Sequence, residues 1–164
     1  MIKDSGDRTE FETGAVRDMQ EGKGRCDLLP LDVVNMVILG NMQNQQNVLT
    51  RIDKFQTTGD IVYLILALDS FRQDYGWNNC TLFLEAAKHF EEGAKKYGEN
   101  NWQKGLPVKS YINSAIRHYL KWLRGDQDEP HDRAFCWNII CAIWTCKNKP
   151  ELNDYRKEDE NESN

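Results

Sequence analysis

Apolar residues recur three and four positions apart over most of the chain after residue 30. This spacing places them on one face of an α-helix, and a glycine follows the end of most of these stretches, as is typical of helix C-termini. No stretch alternates between apolar and polar residues for long enough to indicate a β-strand. The pattern predicts an all-α protein with helices at residues 31–39, 44–57, 61–75, 82–97, 108–123 and 131–146.

Both ends of the chain differ from this helical pattern. Residues 1–13 are charged from the third position and are expected to be flexible, and residues 14–30 contain three glycines and no helical period. Residues 150–164 hold six acidic residues against two basic ones and few apolar residues, which predicts a disordered acidic tail. We therefore expect a single-domain helical bundle of five or six helices at residues 14–149, with an irregular N-terminal segment.

Composition narrows the classes of ligand. The 164-residue chain has a formal net charge of -5, whereas a protein that binds polymeric nucleic acid needs a surplus of lysine and arginine. No segment approaches the roughly 20 apolar residues of a membrane span, and the charged N-terminus does not resemble a secretory signal. We expect a cytoplasmic protein that binds a small molecule rather than a nucleic acid or a membrane. Several apolar helices in so short a chain also favour a homo-oligomer.

The predicted helix 82–97 has a polar face opposite its apolar one. One interpretation is a solvated face with a favourable Glu92–Lys96 pair. The other is that Glu85 and Glu92 offer carboxylates to a divalent cation such as Mg²⁺. The polar face consists of Glu85, His89, Glu92 and Lys96, and the apolar face consists of Phe83, Ala86, Ala87, Phe90, Ala94 and Tyr97.

The next predicted helix, 108–123, has a core stripe and a basic face. Arg117 and Lys121 on the basic face can hold a phosphate chain, although plain solvent exposure explains them equally well. His118 lies at the edge of the apolar stripe, which is typical of a half-buried structural histidine and is also compatible with a catalytic one. The predicted core stripe consists of Ile112, Ala115, Ile116, Tyr119 and Leu123.

The predicted helix 131–146 is apolar nearly all round, which predicts a central position in the bundle. Asp128, His131 and Asn138 nevertheless line up on one side at spacings of three and seven. Buried polar groups need hydrogen-bond partners, so helix capping near Asp128 and a satisfied Asn138 form one interpretation. A polar stripe that faces a site, with metal-binding or acid–base groups, is the other.

The loop at residues 97–105 is polar and carries two aromatic residues, Tyr97 and Trp102. Core packing alone explains Trp102. A base-stacking surface beside Lys96 and Lys104 explains it equally well.

Three segments with an unusual mix of residues resemble a known family. They are GAVRDMQEGKGRCDLLP, HFEEGAKKYGENNWQKG and SAIRHYLKWLRGDQDEPHDRAFCWN. Together they resemble the domain of phage and prophage proteins named dATP/dGTP diphosphohydrolases, and the resemblance covers residues 14–152. It implies hydrolysis of a purine deoxynucleoside triphosphate to the monophosphate and pyrophosphate, in the host cytoplasm if the protein is phage-encoded. It also implies a fold similar to all-α nucleotide pyrophosphohydrolases, which bind Mg²⁺ (or Mn²⁺) through carboxylates and act as oligomers.

The resemblance and the helical faces together indicate a nucleotide site. Glu85, Glu92 and Asp128 are the candidate metal ligands. His118 and His131 are the candidate catalytic residues. The candidates for nucleotide binding are Arg17, Lys23, Arg25, Lys96, Tyr97, Asn101, Trp102, Lys104, Arg117 and Asn138.

The acidic residues depart from the pattern of the all-α pyrophosphohydrolases. Those enzymes typically show Glu-x-x-Glu on one helix and Glu-x-x-Asp on the next, whereas this chain has Asp128-x-x-His131 and the pair Glu85 and Glu92. An alternative function is therefore that of a non-catalytic phage protein that binds and sequesters a nucleotide or a nucleotide-derived defence signal. A helical interaction module whose motif residues only pack is a third.

Overall fold

The computed structural model describes residues 8–18, 29, 48–75 and 79–156. Within these residues the chain forms five α-helices, two short 3₁₀ turns and one β-hairpin, which confirms the predicted all-α class. The helices are α1 (Val48–Thr58), α2 (Val62–Tyr75), α3 (Asn79–Tyr97), α4 (Val108–Arg124) and α5 (His131–Asn148). None of them has the length and apolar character that a membrane crossing would require.

The observed helix ends that can be compared with the sequence lie within three residues of the predicted ends. The largest difference is at the start of α3, which begins three residues before the predicted one. The two 3₁₀ turns are Asn101–Lys104, inside the predicted loop, and Pro150–Leu152. The predicted helix at residues 31–39 and the predicted helix start at residue 44 lie outside the described residues.

Helix α5 occupies the centre of the described helices, as its apolar composition predicts. It contacts α4, α3 and α2, and Phe135, Ile139 and Ala142 on it are fully buried. Phe71 of α2 meets Phe135 with ring centroids 4.5 Å apart, so aromatic packing joins α2 to the centre. Helix α1 packs on α2 and buries apolar residues at helical spacing, which are Val48, Leu49, Ile52 and Phe55.

Three residues of the predicted apolar faces are exposed instead. Phe83 of α3 is 44% exposed, and Ala87 one turn further is also exposed. Helix α3 buries Ala86 of the predicted face together with Leu82, which lies outside it. The buried side extends towards the predicted polar face because Glu92 and Lys96 have partners inside the molecule. Leu123, which is 43% exposed, lies in the last turn of α4, where the residues that follow it, Arg124 and Gly125, are exposed as well.

The N-terminal segment forms a β-hairpin. Strand β1 (Arg8–Glu10) pairs antiparallel with strand β2 (Val16–Asp18). The Thr13 hydroxyl donates a hydrogen bond to the Gly105 carbonyl at 2.6 Å, so the turn docks on the helical body. Residues 8–13, for which flexible chain was predicted, thus carry a strand and part of the hairpin turn. Contacts with distant residues, rather than local alternation, stabilise such short strands.

Residues 150–156 pack on the helical body. Tyr155 meets Phe55 of α1 edge-on, with ring centroids 5.3 Å apart. The Asp154 carboxylate accepts a hydrogen bond from the Lys109 backbone N–H at 2.9 Å, which satisfies a donor in the first turn of α4. The first seven residues of the predicted tail therefore have contacts with the helices, and the rest of the predicted tail lies outside the described residues.

Candidate functional site

A cavity of about 770 Å³ lies between the hairpin, α3, α4 and α5. Its volume falls within the range of roughly 300–1,000 Å³ that is typical of small-molecule sites. Strand β2 supplies one wall, and the loop after α3 supplies part of another. The walls come from segments far apart in sequence, so the cavity exists only in the folded chain.

Arg17 of β2 joins the hairpin to the two central helices. Its Nη2 donates to Asn138 Oδ1 at 2.8 Å, and its Nη1 donates to the Ser110 carbonyl at 3.3 Å. The guanidinium also lies over the rings of Tyr111 and Trp137, at 5.7 and 5.9 Å from their centroids. Burial lowers the pKa of Arg17, yet an arginine keeps its charge at neutral pH. The cavity wall therefore carries a half-buried positive charge whose orientation is fixed by several contacts.

Two further cations of the lining, Arg117 and Lys121, lie one turn apart on α4. Arg117 Nη2 donates to Ser114 Oγ at 3.1 Å. Lys121 Nζ pairs with Asp128 Oδ2 at 3.0 Å. The basic face of α4 thus borders the cavity and is not simply a solvated surface.

Aromatic rings form another part of the lining. Phe90 of α3 contacts Trp102 and Trp137, with centroid separations of 5.2 and 5.9 Å. Tyr97 also lines the cavity, and its hydroxyl donates to Asp18 Oδ1 at 2.8 Å. The ring of Trp102 packs among other rings, as the core-packing interpretation predicts, and it also borders the cavity. Base stacking on this ring stays a prediction.

Two residues of the lining have buried polar atoms without a hydrogen-bond partner in the described part of the chain. These atoms are His89 Nδ1 and Asn101 Oδ1. Asn101 Nδ2 donates to the Val16 carbonyl at 3.2 Å, which fixes the amide so that its oxygen is the unused acceptor. An unpaired buried polar atom costs about 1–3 kcal/mol, so native proteins retain few of them.

His118 of α4 and His131 of α5 form a hydrogen-bonded chain that ends on Asp128. His118 Nδ1 lies 3.0 Å from His131 Nδ1, and His131 Nε2 lies 2.8 Å from Asp128 Oδ1. His118 lines the cavity, whereas His131 is not part of the lining and is only 2% exposed. Burial and the positive charge of Arg117 lower the pKa of His118 to about 2. Hydrogen bonds from Lys121 and His131 hold the pKa of Asp128 well below its usual range.

Most of the predicted nucleotide-binding and catalytic residues meet at this cavity. Lys96 and Lys104 do not line it, since Lys96 pairs with Asp18 at 2.9 Å rather than with Glu92, and Lys104 donates to a carbonyl of the hairpin turn at 3.1 Å. Lys23 and Arg25 lie outside the described residues. The predicted residues in the lining are Arg17, Tyr97, Asn101, Trp102, Arg117, His118 and Asn138.

The three candidate metal ligands do not form one cluster in the part of the chain that the structure describes. Glu85 pairs with Lys88 on the same helix. Glu92 Oε1 pairs with Arg133 of α5 at 2.8 Å. Asp128 pairs instead with His131 and Lys121.

Two other clusters among the described residues have potential ligand atoms within 4.8 Å of one another. The first consists of His118, Glu129 and His131. The second consists of Asp126, Asp128 and His131. His118, Asp128 and His131 of these clusters are predicted site residues, whereas Asp126 and Glu129 were not predicted.

Several residues of the lining were given no role in the sequence analysis. Asp18 and Glu129 directly follow Arg17 and Asp128, so the neighbours of the predicted residues were the signal that could have revealed them. Trp137 lies on a helix that is apolar nearly all round, and no sequence signal separates it from a core tryptophan.

Comparison with known proteins identifies the family. The family model described as dATP/dGTP diphosphohydrolase, N-terminal, matches residues 72–155, which is just over half of the chain. The match includes all of α3, α4 and α5, whereas the hairpin lies outside it. No curated protein and no solved structure gave a significant match. The chain therefore belongs to the dATP/dGTP diphosphohydrolase, N-terminal, family.

Proposed function

We propose that the cavity binds a purine deoxynucleoside triphosphate, which the protein hydrolyses to the monophosphate and pyrophosphate. The observation that carries the proposal is one cavity lined by aromatic rings, by the three cations Arg17, Arg117 and Lys121, and by His118. A nucleotide offers the matching parts, which are a flat base, a polyanionic chain and a phosphorus atom open to attack. The family description supplies the class of substrate.

The base is proposed to bind at the aromatic part of the lining. Stacking on an aromatic side chain contributes about 1–3 kcal/mol per base, and Trp102 and Phe90 offer such rings. Asn101 Oδ1 and His89 Nδ1 are buried atoms of the lining that lack partners among the described residues, and we propose that they hydrogen-bond to the edge of the base. Adenine and guanine both present hydrogen-bond donors and acceptors on the edges of the base.

The triphosphate is proposed to bind the cations of the lining. Arginine binds phosphate oxygens through two parallel N–H donors, and lysine binds them as a point charge. Arg17 already has its guanidinium fixed by Asn138, so little conformational freedom is lost when it binds a phosphate. Low local dielectric strengthens these contacts relative to those on an open surface.

Hydrolysis requires a water molecule that attacks the α-phosphorus. A bond forms between the water oxygen and this phosphorus, the bond to the oxygen bridging the β-phosphorus breaks, and pyrophosphate leaves with the electron pair. The proton of the water passes to the leaving pyrophosphate or to solvent. His118 and His131 were predicted to transfer the proton or to orient a ligand. A pKa of about 2 makes His118 a weak proton acceptor, which favours a role for its neutral imidazole in orienting the water or a ligand.

The resemblance implies Mg²⁺ (or Mn²⁺) as cofactor. Mg²⁺ prefers carboxylate, water and phosphate oxygens. Glu85 and Glu92 are each neutralised by a basic side chain, so these two residues do not fit such an ion. No step of the proposed reaction therefore passes through Mg²⁺ at these residues, and a requirement for Mg²⁺ in solution stays a prediction because the triphosphate itself binds the ion.

The full-length protein should release pyrophosphate from dATP or dGTP when Mg²⁺ or Mn²⁺ is present. Arg117→Gln should lower kcat/KM by about 10- to 100-fold, the loss expected for one charge-assisted hydrogen bond to a phosphate. A coupled pyrophosphate assay measures the rate, and chromatography identifies the monophosphate.

Lys104→Gln is the matched control, because it removes a cation that lies outside the lining. This variant should keep the activity of the wild type. The absence of pyrophosphate release from every deoxynucleoside triphosphate would contradict the proposal.

Binding without cleavage is the second candidate function. The pairing of Glu85 and Glu92 with basic side chains and the weak basicity of His118 favour it. Mixing the protein with a nucleotide panel and then denaturing it by heat separates the two functions. Recovery of the intact nucleotide supports sequestration, whereas recovery of a monophosphate supports hydrolysis.

A further inference from the structure

We propose that His118, Glu129 and His131 bind a divalent transition-metal ion at the edge of the cavity. His118 comes from α4, His131 is the first residue of α5, and Glu129 lies in the connection between these helices. Their potential ligand atoms form one cluster within the described residues. The sequence selected His118 and His131 as catalytic candidates and considered His131 as a metal-binding or acid–base group, whereas Glu129 was given no role.

The separations of the three ligand atoms match a metal site. His118 Nδ1 and His131 Nδ1 lie 3.0 Å apart, and each lies 3.6 Å from Glu129 Oε1. A point equidistant from the three atoms lies about 2.0 Å from each of them, as follows from these separations. Zn–N and Zn–O bonds measure roughly 2.0–2.2 Å. The carboxylate is too far from either imidazole for a hydrogen bond but is well placed to share an ion with both.

The neighbouring carboxylate prepares His131 for this role. Asp128 Oδ1 lies 2.8 Å from His131 Nε2 and accepts its proton in a hydrogen bond. This bond leaves the lone pair on Nδ1, the atom that belongs to the cluster. Metal-binding histidines almost always donate their other N–H in this way, which orients the ring and strengthens its basicity. Asp128 is a positioning residue here rather than a ligand.

The donor set selects the kind of ion. Two imidazole nitrogens and one carboxylate oxygen suit Zn²⁺, Fe²⁺ or Co²⁺, whereas Mg²⁺ prefers oxygen ligands throughout. His118 and Glu129 line the cavity, so a further coordination position can face a water molecule or a phosphate oxygen. Asp128 offsets the charge of the nearby Lys121, and Glu129 supplies the negative charge that the ion requires.

The use of this ion in catalysis rests on the proposed function, but its binding does not. A bound divalent ion would add positive charge beside Arg117 and Lys121, where the triphosphate is proposed to lie. It would also lower the pKa of a bound water, which would supply a nucleophile for the proposed reaction.

Metal binding is tested on the full-length protein without a histidine tag, after treatment with EDTA and desalting. Titration with Co²⁺ is followed by visible absorption, and titration with Zn²⁺ by calorimetry. We expect one ion per chain and d–d absorption without the charge-transfer bands of thiolate ligands. Thiolate bands in place of this spectrum would overturn the proposal, because they would assign the ion to cysteines.

Glu129→Gln is the decisive variant, since it keeps the shape of the side chain and lies in a connecting loop. It should weaken Zn²⁺ and Co²⁺ binding by at least about tenfold, and Asp128→Asn should weaken it by about 10- to 100-fold. Glu99→Gln is the control, because Glu99 lines the same cavity outside the cluster and should leave the affinity unchanged. Circular dichroism establishes that each variant is folded.

Equal affinity of the wild type and Glu129→Gln, or no stoichiometric binding of either ion, would overturn the metal site. A parallel pyrophosphate assay separates this result from the fate of the proposed function. Stoichiometric metal binding without hydrolysis would overturn the enzymatic function alone. Hydrolysis by a protein that binds neither Zn²⁺ nor Co²⁺ would overturn the metal site alone.

Discussion

His89 lies against Trp137, with ring centroids 5.4 Å apart. Burial, together with the charge of Arg133, lowers the pKa of His89 to about 4. Burial also lowers the pKa of His118, to about 2. Both imidazoles are therefore neutral at pH 7, because a protonated ring loses more hydration on burial than a neutral one does. The cavity takes its positive charge from arginine and lysine and not from histidine.

Acid should destabilise the protein as the pH falls below the ordinary histidine pKa of 6.5. Between that value and about 4, His89 is protonated in the unfolded state and neutral in the folded state. The unfolded state therefore binds one more proton, so the free energy of unfolding decreases as the pH is lowered. Each such histidine contributes a slope of up to about 1.4 kcal/mol per pH unit. Urea unfolding at several pH values in this window measures the slope.

His89→Gln should remove the contribution of this residue and flatten the slope by up to that amount. His118 remains in the variant and keeps its own contribution, so the difference between the two slopes isolates His89. Identical slopes for the wild type and the variant would show that His89 titrates alike in the folded and unfolded chains.

At the scale of elements, glycines fix where two helices end. Gly59 follows α1 with a φ of 70°, and Gly125 follows α4 with a φ of 82°. Glycine adopts this left-handed conformation without steric cost, which is why the sequence predicts both ends. The hairpin has no comparable local signal, because its strands have three residues each and its turn is held by Gly105, far away in sequence.

Gly59→Ala should cost more stability than Gly125→Ala. An alanine at either position strains the left-handed backbone, which costs about 1–2 kcal/mol. At residue 59 the added Cβ would also lie 2.6 Å from the Tyr155 carbonyl oxygen, whereas at residue 125 nothing lies within 4 Å. The difference in the free energy of unfolding, measured in urea, should therefore exceed about 1 kcal/mol.

The same pair of variants tests whether residues 150–156 are docked on α1. Equal destabilisation by the two substitutions would mean that the backbone at Tyr155 does not approach Gly59 in solution. Greater destabilisation by Gly59→Ala would support the packing of residues 150–156 against the end of α1.

At the scale of the whole molecule, large exposed apolar side chains of the described residues concentrate on α2 and α3, which contact each other. Leu84 is 66% exposed and Ile65 is 49% exposed. Apolar surface of this kind is typical of protein interfaces. The homo-oligomer that the composition predicts is therefore expected to form through α2 and α3. The large exposed apolar residues on these helices are Val62, Ile65, Leu66, Phe83 and Leu84.

Light scattering coupled to size-exclusion chromatography should find the wild type above the monomer mass of 19.1 kDa. Leu84→Glu should shift it towards the monomer, because a charge would be buried in the interface. Leu123→Glu is the control, since Leu123 is similarly apolar and exposed but lies on α4. A monomeric wild type, or equal shifts in both variants, would contradict this interface.

The sequence by itself determined the five helices that the structure describes, the central position of α5 and seven of the residues that line the cavity. Helical periodicity is a local property, since residues three and four apart share a face wherever the helix lies. Asn138 could therefore be selected as a polar residue on an apolar helix. Trp102 was selected as an aromatic residue in a polar loop, and Arg17 through the resemblance to a family. Their meeting in one cavity could not be derived in this way.

Only the tertiary structure decided which polar groups are partners. Glu92 reaches Arg133 across 41 positions of sequence, and Arg17 reaches Asn138 across 121. Glu85 and Glu92 were selected as metal ligands by their spacing along one helix, but for Glu92 the charge of Arg133 on a facing helix determines whether the carboxylate is free to bind an ion. The position of that charge depends on how the helices pack. Electrostatic interaction depends on the distance between two groups in space, and for residues remote in sequence this distance is fixed only when the chain folds.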